Sequence, residues 1–153
     1  MRFTLLLLSL LFTGCASTFN VPDSGTDFTL DGCTPLLNCA SSTSSVFLYQ
    51  VDPVQLAEPL DESNWETIKT TVTDMPGASL NEARFGYLDV TFYTVVFHFP
   101  DFFEVLVRED QQSLDVRSQS LIGLYDLGVN RRRIEIFRQH LIDKGIAVSG
   151  DAE

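Results

Sequence analysis

Residues 87 to 99 read YLDVTFYTVVFHF, and this stretch decides the fold class. It is dense in β-branched and aromatic residues, which favour β-strands. After a break at Pro100 and Asp101, residues 103 to 108 (FEVLVR) resume the strand pattern, and residues 114 to 117 predict a third strand. Because the connections between these strands are short, the pattern predicts an antiparallel meander.

Two amphipathic segments flank the strand region. Residues 61 to 73 (DESNWETIKTTVT) predict a helix that starts with a capping box formed by Ser63 and Glu66. Residues 130 to 144 (NRRRIEIFRQHLIDK) predict a second helix with Asn130 as its N-cap, and a glycine follows it. The resulting fold class is α+β, an antiparallel β-meander of three or four strands with two helices packed on one face.

The chain before this region looks irregular. Residues 32 to 45 (GCTPLLNCASSTSS) predict a loop, and residues 46 to 50 predict a short strand. Residues 15 to 31 are rich in small, polar and turn-forming residues without periodicity, which is typical of a tether. The predicted organisation is a signal peptide over residues 1–14, a tether over 15–31 and one globular domain over 32–148.

The N-terminus has the pattern of a secretion signal. Arg2 is followed by an apolar run from Phe3 to Phe12 that is too short to cross a bilayer as a helix, which needs about 20 residues. The sequence FTGC at residues 12–15 resembles a bacterial lipobox. That resemblance implies cleavage before Cys15 and attachment of diacylglycerol and palmitate-type acyl chains, and Ala16 implies sorting to the outer membrane, facing the periplasm. The alternative is an ordinary cleaved signal with an incidental cysteine.

Cys33 and Cys39 remain after processing, an even pair in an oxidising compartment. A disulfide between them would close a loop of seven residues and stabilise the fold by roughly 2.4 kcal/mol in the chain-entropy model. Two free thiols are the alternative. We predict no metal site, since no histidine lies near and the spacing differs from that of zinc ligand pairs.

The net charge of −11 is unevenly distributed along the chain. Residues 16–129 hold 17 acids and four cations, whereas residues 130–153 hold four acids and five cations. Most of the surface should therefore repel nucleic acid, which we exclude as a partner. The acidity itself is typical of a surface selected for solubility.

Residues 117 to 133 (RSQSLIGLYDLGVNRRR) predict a structured loop that leads into the second helix. Three arginines at residues 131–133 fall in the first helical turn, where cations are unfavourable by about 0.3–1 kcal/mol each. Either protein carboxylates or a bound small anion should compensate for them. The carboxylates considered are those of Asp101, Glu104 and Asp126. The candidate polar cluster comprises Arg117, Ser118, Ser120, Asp126, Asn130, Arg131 and Arg133.

Two groups of residues resemble the motifs of the domain of unknown function 1499 family. The first is NCASS at residues 38–42, and the second runs from RSQS at residues 117–120 through Gly123, Asp126 and GVNR at 128–131. The resemblance covers residues 33 to 141 and implies a shared fold and polar cluster without a known reaction. This chain departs from the family pattern at three positions, where it has Leu37, Phe102 and Leu121.

The sequence favours binding over catalysis. Neither His98, within an apolar strand run, nor His140, late in a helix, has a catalytic partner at a telling spacing, and no nucleophile elbow surrounds Ser118. No cofactor is predicted, and no catalytic residue can be named. We expect a lipid-anchored envelope protein that binds a small anion or an envelope protein. The alternatives are an enzyme acting on an envelope substrate near Arg117 and Asp126, and a purely structural interaction module.

Overall fold

The structure is a computed structural model that describes residues 29–33, 35–95 and 97–149. The predicted signal peptide, Cys15 and most of the predicted tether lie outside these residues. The strands are β1 (Cys39–Ser41), β2 (Val54–Gln55), β3 (Ala78–Arg84), β4 (Tyr87–Tyr93), β5 (Pro100–Val107) and β6 (Ser113–Ser120). The helices are α1 (Glu62–Thr73) and α2 (Val129–Asp143). None of the described helices is long and apolar enough to cross a membrane.

The described strands form one six-stranded sheet in which the order is β1-β6-β5-β4-β3. All named strand pairs are antiparallel, and β2 pairs with the start of β6 while β1 pairs with its end. Strands β4 to β6 therefore form the predicted meander. The hairpin partner β3, which the sequence pattern did not identify, extends it at one edge, and two short strands extend it along the free edge of β6.

Both helices pack on the same face of the sheet. Alternate residues of the central strands point toward them, because successive side chains of a strand point to opposite faces. Phe103 of β5 contacts Phe137 of α2 in an edge-to-face arrangement with ring centroids 5.3 Å apart. The fully buried members of this core are Val54, Ile68, Val72, Leu88, Val90, Phe103, Val105, Leu114, Val116, Ile134, Phe137 and Leu141. The predicted α+β class is confirmed.

The predicted strand count of three or four is wrong, since the sheet has six strands. The predicted loop over residues 32–45 contains β1, and residues 46–50 form a turn instead of the predicted strand. Such short edge strands give too little alternation for a sequence pattern to detect.

The boundary between β4 and β5 also differs from the prediction. β4 ends at Tyr93, and residues 97–99 belong to a connecting turn in which His98 has a φ of 51°. β5 then begins at Pro100, a position where proline is tolerated because the first residue of a strand need not donate to the ladder. The predicted strand over residues 87–99 therefore ends at residue 93, and residues 97–99 are exposed in the turn that follows.

Both predicted helices exist, but their N-terminal caps differ from the predicted ones. Asp61, rather than Ser63, caps α1 by accepting a hydrogen bond from the Asn64 N–H at 2.7 Å. α2 begins at Val129 after Gly128, so Asn130 lies inside the helix and is not its N-cap. Gly145 follows the end of α2 with a φ of 71°, as predicted for a terminating glycine.

The N-terminal part of the described chain packs against the face of the sheet that the helices leave uncovered. Leu30 is buried against Tyr87 and Leu106. The predicted disulfide between Cys33 and Cys39 is confirmed, with the two Cα atoms 5.7 Å apart. It ties this segment to the first residue of β1.

Candidate functional site

The sheet separates the candidate polar residues into two groups. Ser118 and Ser120 of β6 point toward α2, whereas Arg117, between Asp115 and Gln119 on alternate positions, points to the opposite face. The sequence had placed Arg117 and Asp126 in one cluster. In the structure, Arg117 and Asp126 have separate sets of partners, because β6 continues to Ser120 and carries Arg117 on its far side.

The helix-side group centres on Asn130, which is fully buried. Its side-chain amide donates to the Asn38 carbonyl at 2.9 Å, to Ser120 Oγ at 2.9 Å and to Asp126 Oδ2 at 2.8 Å. Its carbonyl oxygen accepts from Ser118 Oγ at 2.6 Å and from an Arg133 guanidinium N–H at 2.7 Å. We call this group, which joins β1, β6 and α2, the Asn130 network.

Arg133 completes the Asn130 network with an ion pair. Its guanidinium lies 2.7 Å from Asp101 Oδ2, and the two side chains are 10% and 3% exposed. It also stacks over the ring of Phe92 at 4.7 Å from the centroid. Arg133 is therefore held by a carboxylate, two hydrogen-bond acceptors and an aromatic face, an arrangement that favours arginine over lysine.

Asp126 occupies the N-terminus of α2. Its carboxylate accepts hydrogen bonds from the Gly128 N–H at 2.9 Å and from the Asn130 N–H at 2.8 Å. A negative charge here offsets the positive end of the helix dipole and the neighbouring arginines. The sequence predicted that either a protein carboxylate or a bound anion compensates for the arginines of this helical turn. The carboxylate of Asp126 provides such a negative charge.

The remaining arginines of the first turn have different surroundings. Arg131 donates to the carbonyls of Gln50 at 2.7 Å and Leu48 at 3.1 Å, which fixes the turn before β2 against the start of α2. Both Arg131 and Arg132 are exposed, so they place positive charge on the surface at the start of α2, near the end of the sheet where β6 finishes.

On the opposite face, Arg117 pairs with Glu104 across β5 and β6 at 2.6 Å, and both side chains are nearly inaccessible, at 1% and 3% exposed. Arg117 also donates to Gln119, and Tyr87 Oη donates to Glu104 at 3.2 Å. Burial raises the pKa of Glu104, while the Arg117 guanidinium lowers it in part. We call these four residues the Glu104 network.

The carboxyl group of Asp89 lies beside Glu104 in the strand register and is also buried. Burial raises its pKa, and a hydrogen bond from Asn81 at 3.2 Å lowers it in part. Burial likewise raises the pKa of Tyr87, so this phenol stays protonated and acts as a donor. On this face of the sheet, an ion pair and hydrogen bonds therefore join the polar side chains of neighbouring strands.

Neither histidine belongs to these networks. His98 is exposed in the turn between β4 and β5, and His140 lies near the end of α2 beside Asp143. Among the described residues, no group of histidine, cysteine, aspartate and glutamate side chains could hold a metal ion. The described polar residues thus form structural networks, and they do not present a nucleophile with its base.

A feature that the sequence analysis missed is the apolar surface at one end of the sheet. We call it the apolar end and define it as residues 35–38, 44–50, 93–95, 97–99 and 121–129. Fourteen of the eighteen large apolar side chains exposed in the described part of the chain belong to it. They are Leu36, Leu37, Val46, Phe47, Leu48, Tyr93, Val95, Phe97, Phe99, Ile122, Leu124, Tyr125, Leu127 and Val129.

The loops after β4 and β6 and the segment before β1 meet because β4, β5, β6 and β1 are successive neighbours in the sheet, and Arg131 holds the carbonyls of Leu48 and Gln50 beside the start of α2. The Leu121 N–H donates to the Pro100 carbonyl at 3.0 Å, and Leu37 forms a bridge with Tyr125. A shallow depression of about 360 Å³ lies between the loops and is lined by Leu37, Cys39, Leu48, Tyr49, Tyr125, Asp126, Leu127, Gly128 and Arg131. A signal was present in the sequence, since large apolar residues sit inside segments otherwise typical of turns.

The apolar end is also poor in acids. Its only aspartate or glutamate is Asp126, whose carboxylate is engaged with the N-terminus of α2. The turn at the opposite end of the sheet, between β5 and β6, contains Glu109 and Asp110 instead. In a chain of net charge −11, the two ends therefore differ in both polarity and charge.

Comparison with known protein families gives one match. Residues 29–141, about three quarters of the chain, match the family described as "Protein of unknown function (DUF1499)". The chain belongs to this family. The DUF1499 match spans the structure from the packed segment at Leu30 through most of α2, so it includes both polar networks and all the loops of the apolar end. No curated protein and no solved structure matches the chain.

Proposed function

We propose that this DUF1499 protein is a lipid-anchored envelope protein whose domain binds other molecules without catalysis, through the apolar end. The observation that carries the proposal is the contrast between the two kinds of surface. The polar and charged side chains of the Asn130 network and the Glu104 network are mostly buried and bond to one another, whereas large apolar side chains are exposed together at one end of the sheet. Contiguous apolar surface of this kind marks interaction sites in folded proteins.

The conformation of Leu127 supports a binding role for this surface. It is 80% exposed and has a φ of 56°, a left-handed backbone conformation that costs an L-residue with a branched side chain about 1–2 kcal/mol. Glycine or asparagine would be more stable at such a position. A leucine that is both strained and exposed contributes little to the fold, which favours a role in contact with a partner.

The anchor at Cys15 would hold this domain at a membrane. The segment FTGC at residues 12–15 supports lipidation of the cysteine, and 13 residues lie between Cys15 and the first described residue, Thr29. Such a segment spans about 50 Å at most when fully extended. The strands of the sheet are about 26 Å long at roughly 3.3 Å per residue over the eight residues of β5. The anchor therefore permits either end of the sheet to approach the membrane.

Cysteine accessibility in envelope vesicles tests the binding role. Leu124→Cys would be introduced in the apolar end and Ile136→Cys, as the matched control, on the exposed side of α2. Labelling by a membrane-impermeant maleimide is normalised to labelling in urea, without reductant so that the disulfide stays closed. Leu124 is 74% exposed and Ile136 is 40% exposed, so the free domain predicts faster labelling at position 124.

A partner bound to the apolar end would cover position 124 and reverse the order of the two labelling rates. We expect Leu124→Cys to label more slowly than Ile136→Cys in the envelope. If position 124 labels as fast as geometry alone predicts, the apolar end is free there and the proposed binding role is wrong.

The anchor has its own test. Intact-mass analysis of the exported protein should show a chain that starts at Cys15 and carries acyl groups. Cys15→Ser should retain residues 1–14 and take up no fatty-acid label. An unacylated mature chain in the wild-type protein would refute the lipoprotein assignment and leave the analysis of the domain unaffected.

A further inference from the structure

We infer that the partner of the apolar end is the lipid bilayer itself, into whose interface the loop tips insert. This inference deepens the proposed binding role and rests on it. The apolar end consists of separate loops whose tips are exposed. Its most exposed residues, Phe47, Val95 and Leu127 at 86%, 89% and 80%, belong to three separate loops. Projecting apolar tips suit penetration between headgroups better than a flat contact with another protein.

The charge of the apolar end also suits a membrane. Bilayers of the bacterial envelope carry negative surface charge, which repels most of an acidic chain. The loops of the apolar end hold one carboxylate, and that carboxylate is engaged at the helix N-terminus. Arg131 and Arg132, both exposed in the first turn of α2, border the same loops and can contact lipid phosphates. The loops of the apolar end thus present no free carboxylate that an anionic surface would repel, and exposed arginines border them.

The exposed aromatic side chains of the apolar end are of the kind found at membrane interfaces. Tyr93 and Tyr125, at 48% and 62% exposed, carry an apolar ring and a polar hydroxyl, the combination enriched at the boundary between headgroups and acyl chains. Phe97 and Phe99 stack on each other with ring centroids 5.3 Å apart, which gives the loop between β4 and β5 a rigid aromatic tip. These residues fit an interface that is apolar on one side and wet on the other.

Together with the anchor, this surface would fix the orientation of the domain. Acyl chains at Cys15 keep the protein at the membrane, and the loops select which end faces it. The acidic end, with the turn between β5 and β6, then points away from the membrane toward the aqueous compartment.

Quenching by brominated lipids tests the inference on the full lipid-anchored protein. The protein is reconstituted in vesicles of phosphatidylethanolamine and phosphatidylglycerol, with or without bromine on the acyl chains. A tryptophan is introduced by Leu124→Trp in the apolar end and by Ile136→Trp in the control. The native Trp65 is buried in the core and contributes the same background to both.

We expect brominated lipid to reduce the emission of the Leu124→Trp variant and leave that of the Ile136→Trp variant unchanged. Adding Leu127→Asn should weaken the quenching at position 124, since it removes an apolar tip at a backbone conformation that asparagine accepts. Thermal melts of each variant confirm that the fold is retained.

Two outcomes would overturn the inference. Equal quenching at both positions would mean that the protein does not contact the bilayer preferentially through the apolar end. Absence of quenching at position 124, with slow maleimide labelling there in envelopes, would mean that the partner is a protein or a second copy; the binding role would stand and the bilayer assignment would fall. Absence of both would reject the binding role as well.

Discussion

Arg117→Ala is the substitution whose effect the structure specifies best. It removes the partner of Glu104 and leaves a carboxylate that is 3% exposed without its cation. Breaking a buried ion pair on one side destabilises a protein by about 3–5 kcal/mol. That is a large part of the 5–15 kcal/mol typical of a whole domain. At roughly 4 °C per kcal/mol for a domain near this size, the melting temperature should fall by about 12–20 °C.

Thermal melts without reductant measure this effect, and Arg132→Ala provides the matched control. It removes the same type of side chain from an exposed position, so its melt should stay close to that of the wild type. Adding Glu104→Gln to Arg117→Ala should recover part of the loss, because the buried charge is then gone. A change below about 1 kcal/mol for Arg117→Ala would refute the claim that the pair is structurally essential.

The same variant has a predictable response to pH. Without Arg117, its charge and its hydrogen bond no longer lower the pKa of Glu104, whereas the burial that raises this pKa remains, opposed only in part by the hydrogen bond from Tyr87. The folded variant then binds a proton at a pH where the unfolded chain does not, so its stability increases as the pH falls from the raised pKa toward the ordinary range of glutamate. The deficit of Arg117→Ala relative to the wild type should shrink in acid. A deficit that stays constant or grows would contradict burial of Glu104 as its cause.

Three further predictions concern other parts of the fold. Asp126→Ala should lower the free energy of unfolding by about 1–3 kcal/mol, less than Arg117→Ala, because it removes a half-buried carboxylate that accepts the Gly128 and Asn130 N–H groups at the start of α2. Equal losses in denaturant melts would contradict this order. Leu127→Asn should raise the free energy of unfolding by about 1 kcal/mol, because asparagine tolerates the left-handed backbone conformation of residue 127 better than leucine does. The control Ile136→Gln should leave the free energy of unfolding nearly unchanged. If calorimetry finds Leu127→Asn destabilising, the leucine side chain supports the fold. Alkylation followed by mass spectrometry should find Cys33 and Cys39 blocked until reduction, and Cys33→Ser should cost roughly 2.4 kcal/mol; free thiols in the exported protein would contradict both.

The sequence predicted the regular elements with long periodic patterns. The apolar stripes of α1 and α2 and the alternation in β4 to β6 identify a meander with two helices. The disulfide was predicted from a pair of cysteines that follows an expected secretion signal. Strands β1 and β2 contain three and two residues, too few for any period to appear. Their pairing depends on the edge that β6 offers, which is a tertiary contact.

The candidate cluster was only partly predictable for a related reason. Asp101 and Glu104 were named as possible partners of the arginines, and they pair with Arg133 and Arg117. The sequence could not show that Arg117 and Ser118 lie on opposite faces of one strand, because the predicted strand ended at residue 117 and residues 118–120 were assigned to a loop, in which side chains have no alternation. Likewise, exposure of the apolar end follows from where four separate segments meet, and residue type alone does not show it.

The most direct test of the central claim is amide hydrogen exchange on the wild-type protein in its own membrane vesicles. The relevant comparison is between the loops of residues 93–99 and 121–127 and the turn of residues 108–112 at the opposite end of the sheet. If the apolar end lies in the bilayer interface, the first two loops exchange more slowly than the turn. Equal exchange at both ends, or slower exchange in the turn, would contradict membrane contact through the apolar end.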